Sequence, residues 1–469
     1  MDIMNVETSK HNVDEKLNKN SIEGFYANAG ILVTGATGFV GKGILEKLMR
    51  LCPSIGAIFL LIRSKKDQTI EQRFKKAKHP SVLSKVRLVQ GDVTLPDLGL
   101  SQDDRITLIE NVNIVFHIAA TVKFNEPLDV AVNINTAGTA RIIQLCKQLK
   151  HVISVVYVST AYSNAHLSEI EEKVYTSTIK PSLMIDICKK GDKTLIDLLE
   201  ENILKIYPNT YTFSKNLAEQ IVSSSSDSLP VTIVRPSIIG PSIEDPCPGW
   251  LDNVFGVTNI FITVGMGIVK VIPANKNAFV DIIPMDFVID TIICAAWHTN
   301  LHPNNEVKVY NCTNNAYPLK WGEMINFMVQ HNREMPMNSV LWYPCCFLIA
   351  NTYIYNTLHI FLHILPAFVI DVFLKLSGRK PIMMQGSKIF TNLVTNAQYF
   401  SMHEWTFHRD NVSKMMLDVE TLKDSERQIV KLNRVVDWKR YIDIYMAGIK
   451  KFILKEKSKS IDASRQRLS

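Results

Sequence analysis

Tyr211 and Lys215 stand four residues apart in the run YTFSK, so on a helix they share one face. A phenol titrates near about 10 and is a poor acid–base group at neutral pH. An ammonium one turn away favours the phenolate and makes proton exchange easier. A hydroxyl delivered by a preceding strand, Ser159 or Thr160 in YVSTAY, would hold a carbonyl oxygen beside that phenol. These residue types suit the reduction of a carbonyl by hydride. The spacing alone recurs often by chance, so its meaning depends on the elements that precede it.

Those elements begin with TGATGFVG, Thr34 to Gly41. A short apolar run (Ile31, Leu32, Val33) leads into Gly35, Gly38 and Gly41 at three-residue spacing, and an amphipathic pattern comes at once after them. Strand, tight turn and helix in that order predict the opening of a dinucleotide-binding βαβ unit, with Thr37, Phe39 and Val40 in the turn. The free N–H groups and partial positive charge of the helix N-terminus would face a pyrophosphate. Ala57–Ile62 reads as a second buried strand ending on Arg63, where an NAD-selective site usually carries an acid. Arg63 instead suits a 2′-phosphate, which selects NADP(H); an exposed basic loop is the alternative. Residues 64–78 continue basic and read as a solvated helix or as a contact to an anionic substrate.

Val86–Val89 reads as a third strand closed by Gly91, Asp92 and Val93. Asp92 is placed to accept from an adenine amino group, though a simple turn former would look the same. Asn113–Ile118 is a fourth strand, and Ala119 and the small residues after it allow a flat cofactor to lie against the backbone. His117, within that strand, reads as packed core. Asn133–Leu149 has helical periodicity, and Val152–Val158 is a fifth strand delivering Ser159 and Thr160. A sixth, Val231–Val234, runs into Arg235, Pro236, Ser237 and Ile238, a loop that would cover a nicotinamide carboxamide or serve as a plain crossover.

The 469 residues require more than one small core. A formal net charge of +7 is modest for this length and suits an anionic ligand or a membrane surface better than a nucleic acid. The eight cysteines have no CxxC spacing, which points to reduced thiols and gives no zinc signature. The polar N-terminus lacks the apolar core of a secretory signal. Mean hydropathy is +0.06, so some part is unusually apolar. That part is Met335–Ile370, which contains no Asp, Glu, Lys or Arg. Pro344, Asn351, Asn356 and Pro366 interrupt it. An interfacial hairpin, a true span and a buried wall for an alkyl chain all fit. The last apolar helical pattern (Trp438, Tyr441, Ile442, Tyr445, Ile449, Phe452) reads as core packing, with a membrane surface as the alternative.

With these motifs the chain resembles the alcohol-forming fatty acyl-CoA reductases of the extended short-chain dehydrogenase superfamily. TGATGFVG, YVSTAY and YTFSK carry the resemblance, the first and third being shared across that superfamily. Far more specific is RPSIIGPSIEDPCPGWLDN (Arg235–Asn253), while FLHILPAFVIDVFLKLSGRKP (Phe361–Pro381) and the segment from Trp405 to Glu456 look like that family's small helical C-terminal domain. The resemblance covers about residues 25–456. It implies a doubly wound, mostly parallel Rossmann sheet with a smaller helical C-terminal domain, NADPH as donor, a long-chain acyl-CoA as substrate and a fatty alcohol as product. Carried onto this chain, it makes Tyr211 the proton donor, Lys215 its activator and ribose anchor, and Thr160 (in preference to Ser159) the hydroxyl partner. A disordered lead-in is expected over 1–24, the nucleotide-binding domain over 25–334, the apolar segment over 335–376, the helical domain over 377–456 and a polar tail over 457–469. That tail departs from relatives ending in a transmembrane helix. The expected location is a cytosol-facing membrane, the endoplasmic reticulum before the peroxisome. Rival readings are a reductase stopping at the aldehyde, a sterol-type dehydrogenase, and a silent NADP-binding scaffold.

Overall fold

The computed structural model describes residues 21–63, 84–302, 306–314, 316–422, 430, 432 and 435–456. The basic run at 64–78 and the polar tail therefore lie outside the described residues. The chain forms two compact units that interleave in sequence. The first comprises 1–237, 285–313 and 407–434; the second comprises 238–284, 314–406 and 435–469. These bounds differ from the linear division at 334 and 335, because segments far apart in sequence complete each core.

The first unit is built on a sheet of seven strands: β1 Gly30–Thr34, β2 Ala57–Ile62, β3 Val86–Gln90, β4 Ile114–His117, β5 Ser154–Val158, β6 Val231–Pro236 and β7 Lys308–Cys312. Their order is β7-β6-β5-β4-β1-β2-β3. Every neighbouring pair is parallel. Successive side chains of a strand point to opposite faces, yet Ile31, Leu32 and Val33 are all fully buried. Both faces are thus covered, as all-parallel sheets require. Each such side chain contributes roughly 1.5–3 kcal/mol of burial. The order reverses between β1 and β4, the switch point where open α/β sheets place ligands at the strands' carboxyl ends.

Four helices of this unit frame its functional edges: α1 Phe39–Leu51, α2 Gly138–Cys146, α3 Thr210–Ser223 and α4 Met285–Leu301. Lys47 on α1 pairs with Asp290 on α4 at 2.8 Å, both buried. The helix expected over Asn133–Leu149 is π-helical over Val132–Ala137 and α-helical only from Gly138 to Cys146. Part of the expected lead-in over 1–24 is helical. Ser21 caps a short helix, Ile22–Tyr26, and Ile22, Phe25 and Tyr26 bury their side chains.

In the second unit, the helix Trp438–Gly448 packs into the core, as its apolar spacing predicts. The Tyr441 hydroxyl donates to Pro241 O (3.0 Å), and the Tyr445 hydroxyl lies 2.7 Å from that of Thr258. Gly249, at φ +75°, brings its carbonyl against Gly448, so the Pro248–Trp250 turn receives this helix. The apolar segment is interrupted at Pro344 and Asn351, as expected, but not at Asn356 or Pro366. Asn351 caps a continuous helix, Thr352–Leu376, that passes through Pro366. A π-helical stretch at Ile360–Ile364 precedes the proline, and such a widened turn accommodates the missing N–H and the ring. Its polar groups point inward: the His359 and His363 Nδ1 atoms lie 2.8 Å apart, and Asp371 accepts from the backbone N–H groups of Ile382, Met383 and Met384. Phe361, Phe368, Phe373 and Leu376 point outward and are exposed. The buried-wall reading does not fit this helix.

Candidate active site

The turn after β1 is shaped by backbone crowding. Gly35 sits at φ +72°, and an added Cβ there would lie 2.7 Å from Ala119 N. A Cβ on Gly41 would lie 2.4 Å from Gly35 O, so the helix can pack this closely only without a side chain. Gly38 N donates to Gly35 O (2.9 Å), and Gly38 is the N-cap of α1 without offering a capping side chain. Gly38 is exposed, with Thr37, Phe39 and Val40 half-buried beside it. The helix N-terminus therefore opens at the carboxyl edge of the sheet, shaped for an anion.

Across the switch point, Thr34 Oγ1 accepts from Ile118 N (3.1 Å) and Ala119 N (3.2 Å), fixing the end of β4 against β1. His117 bridges the Thr34 and Thr139 hydroxyls (2.7 and 3.0 Å). Burial, helped by the nearby Lys215, pushes its imidazole down to about 3, and it stays a neutral core group.

The chemical residues lie farther along the same edge. Ser159 N donates to Val234 O (2.8 Å), extending the β5–β6 pairing, and Thr160 starts the short turn Ala161–Asn164. Asn209 caps α3 by accepting from Thr212 N (2.9 Å), which starts the helix just before Tyr211. Burial pushes the Tyr211 phenol up to about 12; the adjacent Thr160 hydroxyl opposes this and the Glu219 carboxylate adds to it. Phe124 stacks on the Tyr211 ring at 6.0 Å. Lys215 is buried and donates from Nζ to Val158 O (2.8 Å), with Nζ 4.6 Å from the centre of the Tyr157 ring. Burial pulls this amine down to about 7, against the pull of Glu219. A group so poised exchanges protons readily at neutral pH.

Sequence reading missed the groups that hold this arrangement. Glu219 continues the Tyr211–Lys215 face by one more turn. Its carboxylate meets Arg235 in a fully buried pair (Nε–Oε1 2.9 Å, Nη2–Oε2 2.6 Å) and accepts from the Ser163 hydroxyl (3.0 Å). Arg235 also donates to Glu171 O and Lys173 O. Asn135 accepts from Thr121 N (2.9 Å) and donates to the Ser214 hydroxyl (3.0 Å), tying the loop after β4 to α3. The i, i+4, i+8 spacing of Tyr211, Lys215 and Glu219 was the available signal.

The other expected cofactor residues take more varied places. Arg63 comes directly after β2 at the carboxyl edge and is exposed. Asp92 Oδ1 accepts from Thr94 N and the Thr94 hydroxyl, both at 2.9 Å, so it shapes its turn. Val93 O accepts from Arg141 (2.6 Å). Pro236 ends β6 and Ser237 N donates to Cys312 O (3.1 Å). Ile238 belongs to the second unit, on a short strand whose N–H reaches Asp281 O (3.1 Å). All eight cysteines are free thiols.

A glycine turn at the switch point of a parallel sheet, a hydroxyl at the end of β5 and a Tyr–Lys pair on α3 define a nicotinamide-dependent oxidoreductase of the short-chain dehydrogenase class. Family models described as "Male sterility protein" match residues 33–292, as an NAD-binding domain, and 362–456. Fatty acyl-CoA reductase 1 of Homo sapiens and that of Pongo abelii are each 34% identical over 462 residues, covering 96% of this chain and 89% of theirs. The chain belongs to the fatty acyl-CoA reductase family. Its fold resembles the terminal R domain of the myxalamid biosynthetic pathway, with a TM-score of 0.64 at 20% identity, covering 90% of this chain and 91% of that one.

Proposed function

We propose that this chain reduces a long-chain fatty acyl-CoA to the fatty alcohol with NADPH, and that Thr160, Tyr211 and Lys215 are its catalytic residues. The carrying observation is the placement of the Thr160 hydroxyl, the Tyr211 phenol and the buried Lys215 amine along the sheet edge that carries the glycine turn. The tight turn that Gly35 and Gly41 permit leaves the N-terminus of α1 open at exposed Gly38, which fits a pyrophosphate. Gly38, Thr37, Phe39 and Val40 would surround it, Arg63 would take a 2′-phosphate, and Asp92, Val93 and Ala119 would flank the adenosine and ribose. Pro236 and Ser237 would border the nicotinamide. When bound, NADPH supplies a hydride to the thioester carbon and, from a second molecule, to the aldehyde carbon.

The residues of the chain do the rest. Thr160 and Tyr211 hold the carbonyl oxygen and stabilise the charge that develops on it. Tyr211 gives that oxygen its proton to form the hemithioacetal; its phenolate then takes the hydroxyl proton back as the C–S bond breaks, the C=O bond re-forms and the thiolate of coenzyme A leaves the aldehyde behind. In the second reduction Tyr211 protonates the alkoxide to the alcohol. Lys215, poised near neutrality, restores the phenol proton after each step and anchors the ribose. No cysteine nucleophile takes part. The outward-facing apolar helix Thr352–Leu376 supports docking at a membrane, where such acyl chains partition, and the free thiols suit a cytosol-facing side.

Incubation of the purified protein with NADPH and a mixed acyl-CoA pool, with mass spectrometry of the products, tests this reading. Fatty alcohols with stoichiometric free coenzyme A are expected. Accumulation of aldehyde alone, or no NADPH oxidation with any acyl-CoA, would overturn it.

A further inference from the structure

A second cluster of reactive side chains lies in the first unit, beside the amino-terminal end of β7 and thus on the opposite sheet edge from the glycine turn. His298, in the last turn of α4, and His302, one turn on, share a face. Facing them is Asp418 of the helix Asp410–Glu420, here α5. Asp418 Oδ2 lies 3.0 Å from His298 Nε2 and 2.7 Å from His302 Nε2. One donor atom from each residue falls within 4.8 Å of the other two. The cluster opens into a cavity of about 470 Å³ that Glu172, Lys308 and Lys414 also line.

We propose that His298, His302 and Asp418 form a binding site for a divalent transition-metal ion of the zinc class, which clasps α4 to α5. Two imidazole nitrogens and one carboxylate oxygen are a donor set such ions favour, and the cavity leaves room for water as a fourth ligand. Bond lengths of about 2.0–2.2 Å need donor atoms slightly farther apart than they are here. Half-exposed His302 and partly exposed Asp418 have the freedom to open by a few tenths of an ångström.

Beyond the ligands, the support is already built. His298 is buried, and its Nδ1 lies 2.7 Å from the Tyr310 hydroxyl. With Nδ1–H donating to that hydroxyl, the lone pair of Nε2 points at Asp418, the orientation that outer partners impose on metal-binding histidines. Lys308 donates to His302 O (2.8 Å), which turns its ammonium toward the chain. Lys414 is the other cation that lines the cavity. The site is remote in sequence and edge from Tyr211 and Lys215, so its part is structural: α5 belongs to a segment more than a hundred residues after α4.

The test uses the full chain after chelator treatment. Cobalt(II) titration is expected to give saturable visible d–d absorption at one ion per chain, bleached by zinc(II). Excess zinc(II) should raise Tm by several degrees, because an ion that binds only the folded state stabilises it by mass action. His302→Gln and Asp418→Asn should each lose the absorption and the Tm rise while NADPH binding persists. No absorption at millimolar cobalt(II), or a spectrum unchanged in both variants, would overturn the proposal. Neither result bears on acyl-CoA reduction, which is measured separately.

Discussion

Lys215→Met separates the chemistry of the site from its cost to folding. Methionine keeps the length and apolar stem of lysine but removes the charge. The native amine is pulled from 10.5 down to about 7 by burial. At about 1.36 kcal/mol per pH unit, that depression corresponds to roughly 4–5 kcal/mol against the charged form. Losing the hydrogen bond to Val158 O costs about 1–3 kcal/mol in return. At pH 6 the variant should therefore be the more stable by about 1–4 kcal/mol. Proton counts set the sign of the pH dependence. Between about 7 and 10.5 the unfolded chain holds a lysine proton that the folded chain lacks, so wild-type stability rises with pH across that window. Lys215→Met lacks this contribution, and its advantage should shrink from pH 7 upward and reverse by pH 10. Thermal melts of both proteins from pH 6 to 10 measure it, and NADPH turnover should fall sharply in the variant throughout. Parallel Tm profiles would refute the reasoning, since the amine would then titrate alike in both states.

Tyr211→Phe keeps the stacked ring against Phe124 but removes the proton, so kcat should drop by about 10²–10⁴ while NADPH affinity, read by fluorescence, stays within a few-fold. Arg63→Ala should raise the Kd for NADPH by about 10–100-fold with little change for NADH, the scale of one charged hydrogen bond. Equal weakening of both cofactors would show that Arg63 does not meet the 2′-phosphate. Glu219→Gln leaves Arg235 buried without its carboxylate and should destabilise the first unit by about 3–5 kcal/mol, seen as a lowered Tm with the NADPH preference unchanged. Replacing exposed Phe361, Phe368 and Phe373 together by serine should abolish co-sedimentation with phospholipid vesicles and leave Tm nearly unaltered.

What the sequence determined by itself is what local patterning encodes. Runs such as Ile31–Val33 and Ala57–Ile62 are apolar on both faces and can only be buried strands, and glycines at positions 35, 38 and 41 announce a turn that admits no side chain. The i, i+4 relation of Tyr211 and Lys215 is a property of any helix, and Asn209 supplies the cap that starts this one. Tertiary structure decided the rest, because it depends on partners distant in the chain. β7 joins the sheet only by pairing with β6, and its short sequence, KVYNC, carries no strong strand pattern. The buried Arg235–Glu219 pair turns an expected cofactor loop residue into a brace for α3. Pro366 does not end its helix, since the widened turn before it makes room. The proton affinities of Tyr211 and Lys215 depend on burial, which no spacing along the chain records.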